Sequence, residues 1–382
     1  MPAARATAPD VLDVREESTL AAVPRPDWNR LAASADFYHS HEWLMGQEGA
    51  RGIECAYVLA YDGGALVGGL PLHRLAENRR GECNELFGRE LELLLAGPRT
   101  GYRTQLLVDP HAPPSRARAI RDALVRRAGD VARRFGCEGL WFDYVTTAGL
   151  QAVVDCAGGI AAFRTAESRI DTDGAGFDGY LGMLSSSMRS QARREMRRFE
   201  SAGWRVSTER LSASVEEAAA LFAETERKYG HLAHAARIRE FLLRQVPHVD
   251  GRSVAFACRD ERGRLVGYSL MFEWSGTLFA RQVGFDYARL RDSFEYFNLL
   301  FYVPLRYMET RGLDTLHLGI FGGWDAKGRR AARFHPLWAC AVVDGGRVRW
   351  HRAVASRSFA AEVKERFPDA VDLPEWDPRG LL

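Results

Sequence analysis

Two segments of this chain repeat one pattern, and the repeat constrains the fold more than any other feature. AYVLAYD, a Gly-Gly turn and ALVGGLPL form the first copy. VAFACRD, a polar ERGR turn and LVGYSL form the second. Each reads as a β-hairpin: an apolar strand, a turn of glycine and polar residues, and a second apolar strand. Val67-Gly68 and Val266-Gly267 fall at corresponding points. Each hairpin leads into a strand, a helix and a second strand. In the first copy these are residues 90–96, 115–135 and 139–145, with a short strand at 105–109. In the second they are GTLFARQVGF, FEYFNLLFYVPLRYMETRG and TLHLG, and HPLWACAVVD and RVRWHRAV close the sheet. Hairpins mixed with strand–helix–strand crossovers define a mixed α/β sheet. The expectation is a duplicated α/β unit, with domains at 1–165 and 166–382 and most of the active site in the second.

A length of 382 residues accommodates two domains of ordinary size. The net charge of +2 excludes a protein that coats nucleic acid non-specifically, but not a local basic groove. The six cysteines form no C-x-x-C pair and mostly sit in apolar runs, so buried, reduced thiols and no metal site are expected. No signal peptide and no apolar run of about 18 residues is visible, which predicts a cytoplasmic chain without a membrane span.

Four segments carry candidate chemistry. A helix expected over 177–202 places Leu181, Met188, Ala192, Met196 and Phe199 on one apolar stripe. Arg189, Arg193, Arg194, Arg197 and Arg198 occupy its other faces, with Glu195 alone among them. Such arginines bind phosphates or form a solvated face. The late helix is apolar nearly all round, with a polar strip of Glu295, Asn298, Tyr302 and Arg306, and Pro304 should kink it. The segment LGIFGGWDAKGRRAARFHP reads as a strand followed by a loop. It joins glycines that allow close backbone approach with Trp324, Asp325, Lys327, Arg330 and Arg333. Lys327 is one of only three lysines, with Lys228 and Lys364. ERKYGHLAH places Tyr229 and His231 at a helix end. The R-x-x-G-x-G/A loop, with which acetyl-CoA enzymes hold pyrophosphate on backbone amides, has no clean copy.

MRSQARREMRR, together with FEYFNLLFYVPLRYMETRGL and HLGIFGGWDAKGRRAARFHP, resembles the Fem-type and FemAB-like proteins of the GNAT superfamily. WNRLAASADFYHSHEWL is similar to their opening helix. The resemblance implies two tandem GNAT-like domains and transfer of an aminoacyl or acyl group to an amine, with no resident cofactor. The donor it implies is aminoacyl-tRNA; acyl-CoA is the donor elsewhere in the superfamily. Tyr296 and Asn298 stand where that group often carries His and Glu, and no coiled-coil arm is visible. These departures favour a small-molecule amine as acceptor over a cell-wall peptide precursor. Tyr296, Asn298, Asp325 and His335 are the expected catalytic groups. Tyr229, His231, Arg281, Glu295 and Tyr302 would contact substrate. Lys327, Arg330, Arg333, Arg189 and Arg193 would hold donor phosphates, with Trp324 stacking on the terminal adenine. A non-catalytic module with a filled pocket is the remaining alternative.

Overall fold

The computed structural model describes residues 12–48, 54–74, 76–320, 322–343, 349–351 and 353–377. Phe321 and residues 344–348 and 352, which fall in the expected loop and closing strand, lie outside them. The chain forms two compact units. One comprises Met1–Thr165, Pro336–Phe359 and Leu373–Leu382; the other comprises Ala166–His335 and Ala360–Asp372.

The first unit opens with β1 (Asp13–Glu17), α1 (Arg25–Ala32) and α2 (His41–Gln47), then the hairpin β2 (Cys55–Asp62) and β3 (Ala65–Arg74). After α3 (Glu77–Phe87) come β4 (Leu93–Ala96), the two-residue β5 (Leu107–Val108), α4 (Pro114–Arg134), β6 (Gly139–Val145), α5 (Thr147–Ala157) and the start of β7 (Ile160–Asp171). β1, β2, β3 and β4 pair antiparallel in that order, and β6 joins β4 in parallel. Ile120, Leu124, Val125, Ala128 and Val131 of α4 pack on the sheet in the main core of this unit.

The second unit repeats the plan. α6 (Gly176–Met183) and α7 (Ser186–Ser201) precede β8 (Arg205–Glu209), α8 (Val215–Lys228) and α9 (Ala235–Val249). The second hairpin is β9 (Ser253–Arg259) and β10 (Leu265–Trp274), followed by β11 (Thr277–Phe285). A composite helix runs through α10 (Glu295–Phe297), a π turn (Asn298–Tyr302) and α11 (Val303–Arg311) to β12 (Thr315–His317). β8, β9, β10 and β11 pair antiparallel, and β12 joins β11 in parallel. The order matches the first unit strand for strand. α12 (Trp324–Gly328), β13 (Arg333–Val343), β14 (Arg349–His351) and α13 (Ala353–Arg366) complete the chain.

The paired glycines explain how both crossovers sit. A Cβ on Gly68 would lie 2.5 Å from Cγ2 of Ile120 in α4. A Cβ on Gly267 would lie 2.7 Å from Cδ1 of Leu299 in the π turn. In each unit the second hairpin strand gives up a side chain so that the crossover helix can reach the sheet.

Several elements differ from expectation. The helix expected over 177–202 is two helices, because the Ser185 hydroxyl accepts from the Met188 amide at 3.3 Å and starts a new one. The expected domain boundary between residues 165 and 166 falls inside β7. Residues 336–343 of β13 pair with β6, from Trp338↔Val145 to Val343↔Gly139, which groups them with the first unit instead of with 166–382. Pro304 lies inside the composite helix, directly after the π turn, so its missing N–H falls where the helical hydrogen-bond ladder is already irregular.

Candidate functional site

The second unit contains a strand divergence built by its own backbone. β11 and β12 pair only at Thr277↔Thr315, Leu278↔Leu316 and Phe279↔His317. Two residues further on, Arg281 is the extra residue of a β-bulge: Leu270 faces Gln282 while Met271 faces Ala280. A bulge bends its strand and twists it locally. On the other side, β12 keeps its pairing with β7 through His317↔Arg169, and the Leu318 amide donates to the Ser168 carbonyl at 2.8 Å. One neighbour turns away while the other is held, so β11 and β12 part after Phe279. At the last rung the buried His317 ring lies 3.2 Å from the Glu167 carboxylate and packs against Phe279 at 5.2 Å.

Lys327 lies beside this divergence. Its ammonium donates to the carbonyl of Leu318, the residue after β12, at 3.0 Å. Only 2% of the residue is exposed, and burial pulls its pKa down to about 7. Burial disfavours the charged form, so this amine can give up its proton near neutrality. Instead of a plain loop, the segment forms the short helix α12, which follows Gly323 at φ +67°. Lys327 within it and Arg330 just beyond it turn inward, while Arg329 and Arg333, the first residue of β13, turn outward.

Arg330 is therefore not available to a donor phosphate. Its guanidinium bonds both oxygens of Glu195, at 2.9 and 2.8 Å, and donates to the Tyr302 hydroxyl at 3.1 Å. It also lies 3.4 Å from the centroid of Phe297. Tyr302 donates its proton to Glu195, and burial pushes its pKa upward. Tyr302 thus belongs to a buried lock between α7, the π turn and the segment after α12, not to a substrate surface. Glu195, the lone acid among the α7 arginines, was not among the expected site residues. The signal was present: it falls between Ala192 and Phe199 on the buried face of α7, where an acid needs a buried partner.

The other expected groups separate into three sets. Tyr229, Glu295 and Tyr296 line one cavity of about 350 Å³ with Lys228, Phe285, Tyr287, Leu290, Asp292, Phe294 and Phe297. Burial pushes the Tyr296 hydroxyl up to about 12. Glu295 lines that cavity, yet its carboxylate is committed to backbone. It accepts from the Arg291 amide at 2.8 Å, the Ser293 amide at 3.0 Å and the Ser293 hydroxyl at 2.8 Å. Asn298 is buried and donates to the Phe294 carbonyl at 2.9 Å. Asp325 and Arg333 line a second cavity of about 720 Å³, near Ser185, Arg329, Arg366 and Phe367, and Asp325 pairs with both Arg329 and Arg366.

The third set stands apart from both cavities. Arg189 does not face a ligand; it donates to the carbonyls of Leu181, Gly182 and Leu184 and closes the end of α6. Arg193 is exposed on α7. His231 is exposed, 3.9 Å from Glu226. Trp324 packs edge-on against Phe334 at 5.3 Å and is half-buried, which leaves it a poor stacking platform. Arg281 and His335 are half-buried. Among the described residues no cluster of His, Cys, Asp and Glu suits a metal, and no helix is long and apolar enough to cross a membrane.

Residues 186–328, which hold the divergence, Glu195, Tyr302 and Lys327, match a family model described as an acetyltransferase (GNAT) domain. The fold is shared with solved structures that align with most of this chain. The structure of FemX aligns with 86% of this chain and 97% of its own, at a TM-score of 0.63 and 12% identity. The C-terminal DUF2156 domain of a putative lysylphosphatidylglycerol synthetase from Agrobacterium fabrum aligns with 89% of this chain and 96% of its own, at a TM-score of 0.53 and 10% identity. A conserved protein of unknown function from Bacteroides thetaiotaomicron aligns with 84% of this chain and 98% of its own, at a TM-score of 0.54 and 10% identity. No curated protein matches by sequence.

Proposed function

We propose that this chain is an N-acyltransferase that moves an aminoacyl group from aminoacyl-tRNA to the amine of a small molecule. Acyl transfer in general is supported by the GNAT domain match and by the bulged divergence of β11 and β12. The choice of donor rests on Glu295. A CoA-type donor needs free backbone amides at the start of the crossover helix to hold its pyrophosphate. Here a buried carboxylate already takes the amides of Arg291 and Ser293. A pyrophosphate at this point would meet a carboxylate in place of free amide donors. An aminoacyl ester makes no such demand, because its phosphates lie along the RNA.

The ester is already activated, so the protein supplies position, charge stabilisation and a proton acceptor. The neutral amine attacks the ester carbonyl; the C–N bond forms and the C–O bond to the ribose breaks. The amine proton passes to Lys327, whose pKa near 7 suits it to accept at neutral pH, and Lys327 returns that proton to the ribose oxygen as it leaves. The test is a donor assay: purified protein and a panel of amines, offered charged tRNA or acyl-CoA, with and without RNase. Product that requires charged tRNA and disappears with RNase is expected. Product that survives RNase and requires acyl-CoA would sink the donor assignment.

A further inference from the structure

The cavity of about 350 Å³ combines aromatic walls with acidic groups and has cations at its edge. Its walls are aromatic: Phe285, Tyr287, Phe294, Tyr296 and Phe297 line it. Its acids are Asp292 and Glu295, which repel a phosphate from the interior. The Lys228 ammonium sits 3.6 Å from the centre of the Tyr287 ring, so one face is already capped by a cation. Cations also stand outside. The guanidinium of Arg198 lies 5.6 Å from the centre of the Phe294 ring. Arg194, one turn earlier on the same face of α7, and Arg197 are exposed, and neither makes an ion pair among the described residues. An uncharged planar group fits inside, and negative charge fits at the α7 edge.

Aromatic walls joined to a track of unpaired arginines are the physical requirement for holding single-stranded nucleic acid. Bases stack on the rings, and the backbone follows the charge. We propose that this cavity takes the terminal base of a single-stranded RNA 3′ end, with the adjoining phosphates on Arg198 and Arg194. The proposal rests on the aminoacyl-tRNA reading and specifies its subsite; it moves the stacking role from Trp324 to Tyr287 and Phe294.

The experiment uses the full chain and a fluorescently labelled RNA trinucleotide ending in adenosine, followed by anisotropy. Phe294→Ala is expected to weaken binding about tenfold, the loss of one base–aromatic stack. Arg194→Gln and Arg198→Gln change exposed residues, so they report even if the Phe294 variant fails to fold. Each should lower the slope of log affinity against log salt by about 0.7. Unchanged RNA affinity and salt slope in all three variants would overturn the proposal. So would a Phe294→Ala protein that binds RNA normally but shows a raised KM for the acceptor amine; the cavity would then belong to the acceptor, with the tRNA reading intact. Failure of the tRNA reading itself would show separately, as RNase-resistant turnover of acyl-CoA by the wild-type protein.

Discussion

The two units follow one plan, yet their central gaps have opposite fates. In the first, β4 and β6 pair in parallel at Leu93↔Gly139, Leu94↔Leu140 and Leu95↔Trp141. The chain then re-enters the gap: Thr104 bridges to Val145, and its amide donates to the Tyr144 carbonyl at 3.0 Å. β4 has four residues and its register with β3 runs without a bulge. The nearby Asp143 is held by Arg79 at 2.7 Å and Arg164 at 3.0 Å. In the second unit, β11 has nine residues, carries the Arg281 bulge and leaves β12 after three rungs, with Lys327 alongside. One copy of the plan was stopped with its own backbone, and the other keeps the divergence. The same topology serves as scaffold in one unit and as candidate site in the other, and the difference lies in one loop and one extra residue.

The largest expected effect breaks this comparison at its charged cores. Arg330→Ala leaves Glu195 buried without its partner and should cost about 3–5 kcal/mol in chemical denaturation. It should also lower turnover of the folded fraction, because Arg330 holds the segment that carries Lys327. Asp143→Ala should destabilise to a similar extent but leave kcat of the folded fraction unchanged; an equal loss of kcat would mean that the first unit contributes chemistry.

Next in size is Lys327→Met, which should lower kcat by about 10²–10⁴-fold. The wild-type rate should rise with pH through about 7, and the variant's residual rate should lack that rise. Stability should move the other way. The folded pKa lies below the ordinary lysine value of 10.5, so the cost of the buried ammonium is full below about 7 and fades as pH rises from there toward 10.5. Lys327→Met should therefore raise Tm most at pH 6 and least at pH 10.

Gly68→Ala and Gly267→Ala come third, at about 1–3 kcal/mol each for overpacking a crossover helix. They share no neighbour, so the double variant should show the sum. A marked departure from additivity would mean that the two crossovers are coupled. Arg193→Gln is the smallest, within about 0.5 kcal/mol on stability, with a salt-dependent loss of donor affinity as its only expected signature.

The hairpins and the matched Val-Gly pairs were legible because a strand period and a turn are local signals. The inward turn of Arg330 was not. Arg329, Arg330 and Arg333 are alike in sequence, and which of them meets Glu195 depends on where α12 ends at Gly328 and on the turn after it. The splitting of α6 from α7 rested on one hydroxyl within a run of three serines. The bulge at Arg281 was invisible, since it depends on the register of β10. Buried polar residues on the late helix need partners, which a polar strip in a sequence does not name. For Glu295 and Tyr302 the partners are protein groups a few residues or a hundred residues away.

Glu295 has one more consequence. A carboxylate carried by the chain occupies the amides at the head of the crossover helix. It acts as a tethered anion at high effective concentration. The turn before the helix is thus set when the protein folds, before any donor arrives, and a donor binding beside it has no loop to organise. Exchange of donors can then be governed by contacts with the donor alone, and the loop need not open and close on each cycle.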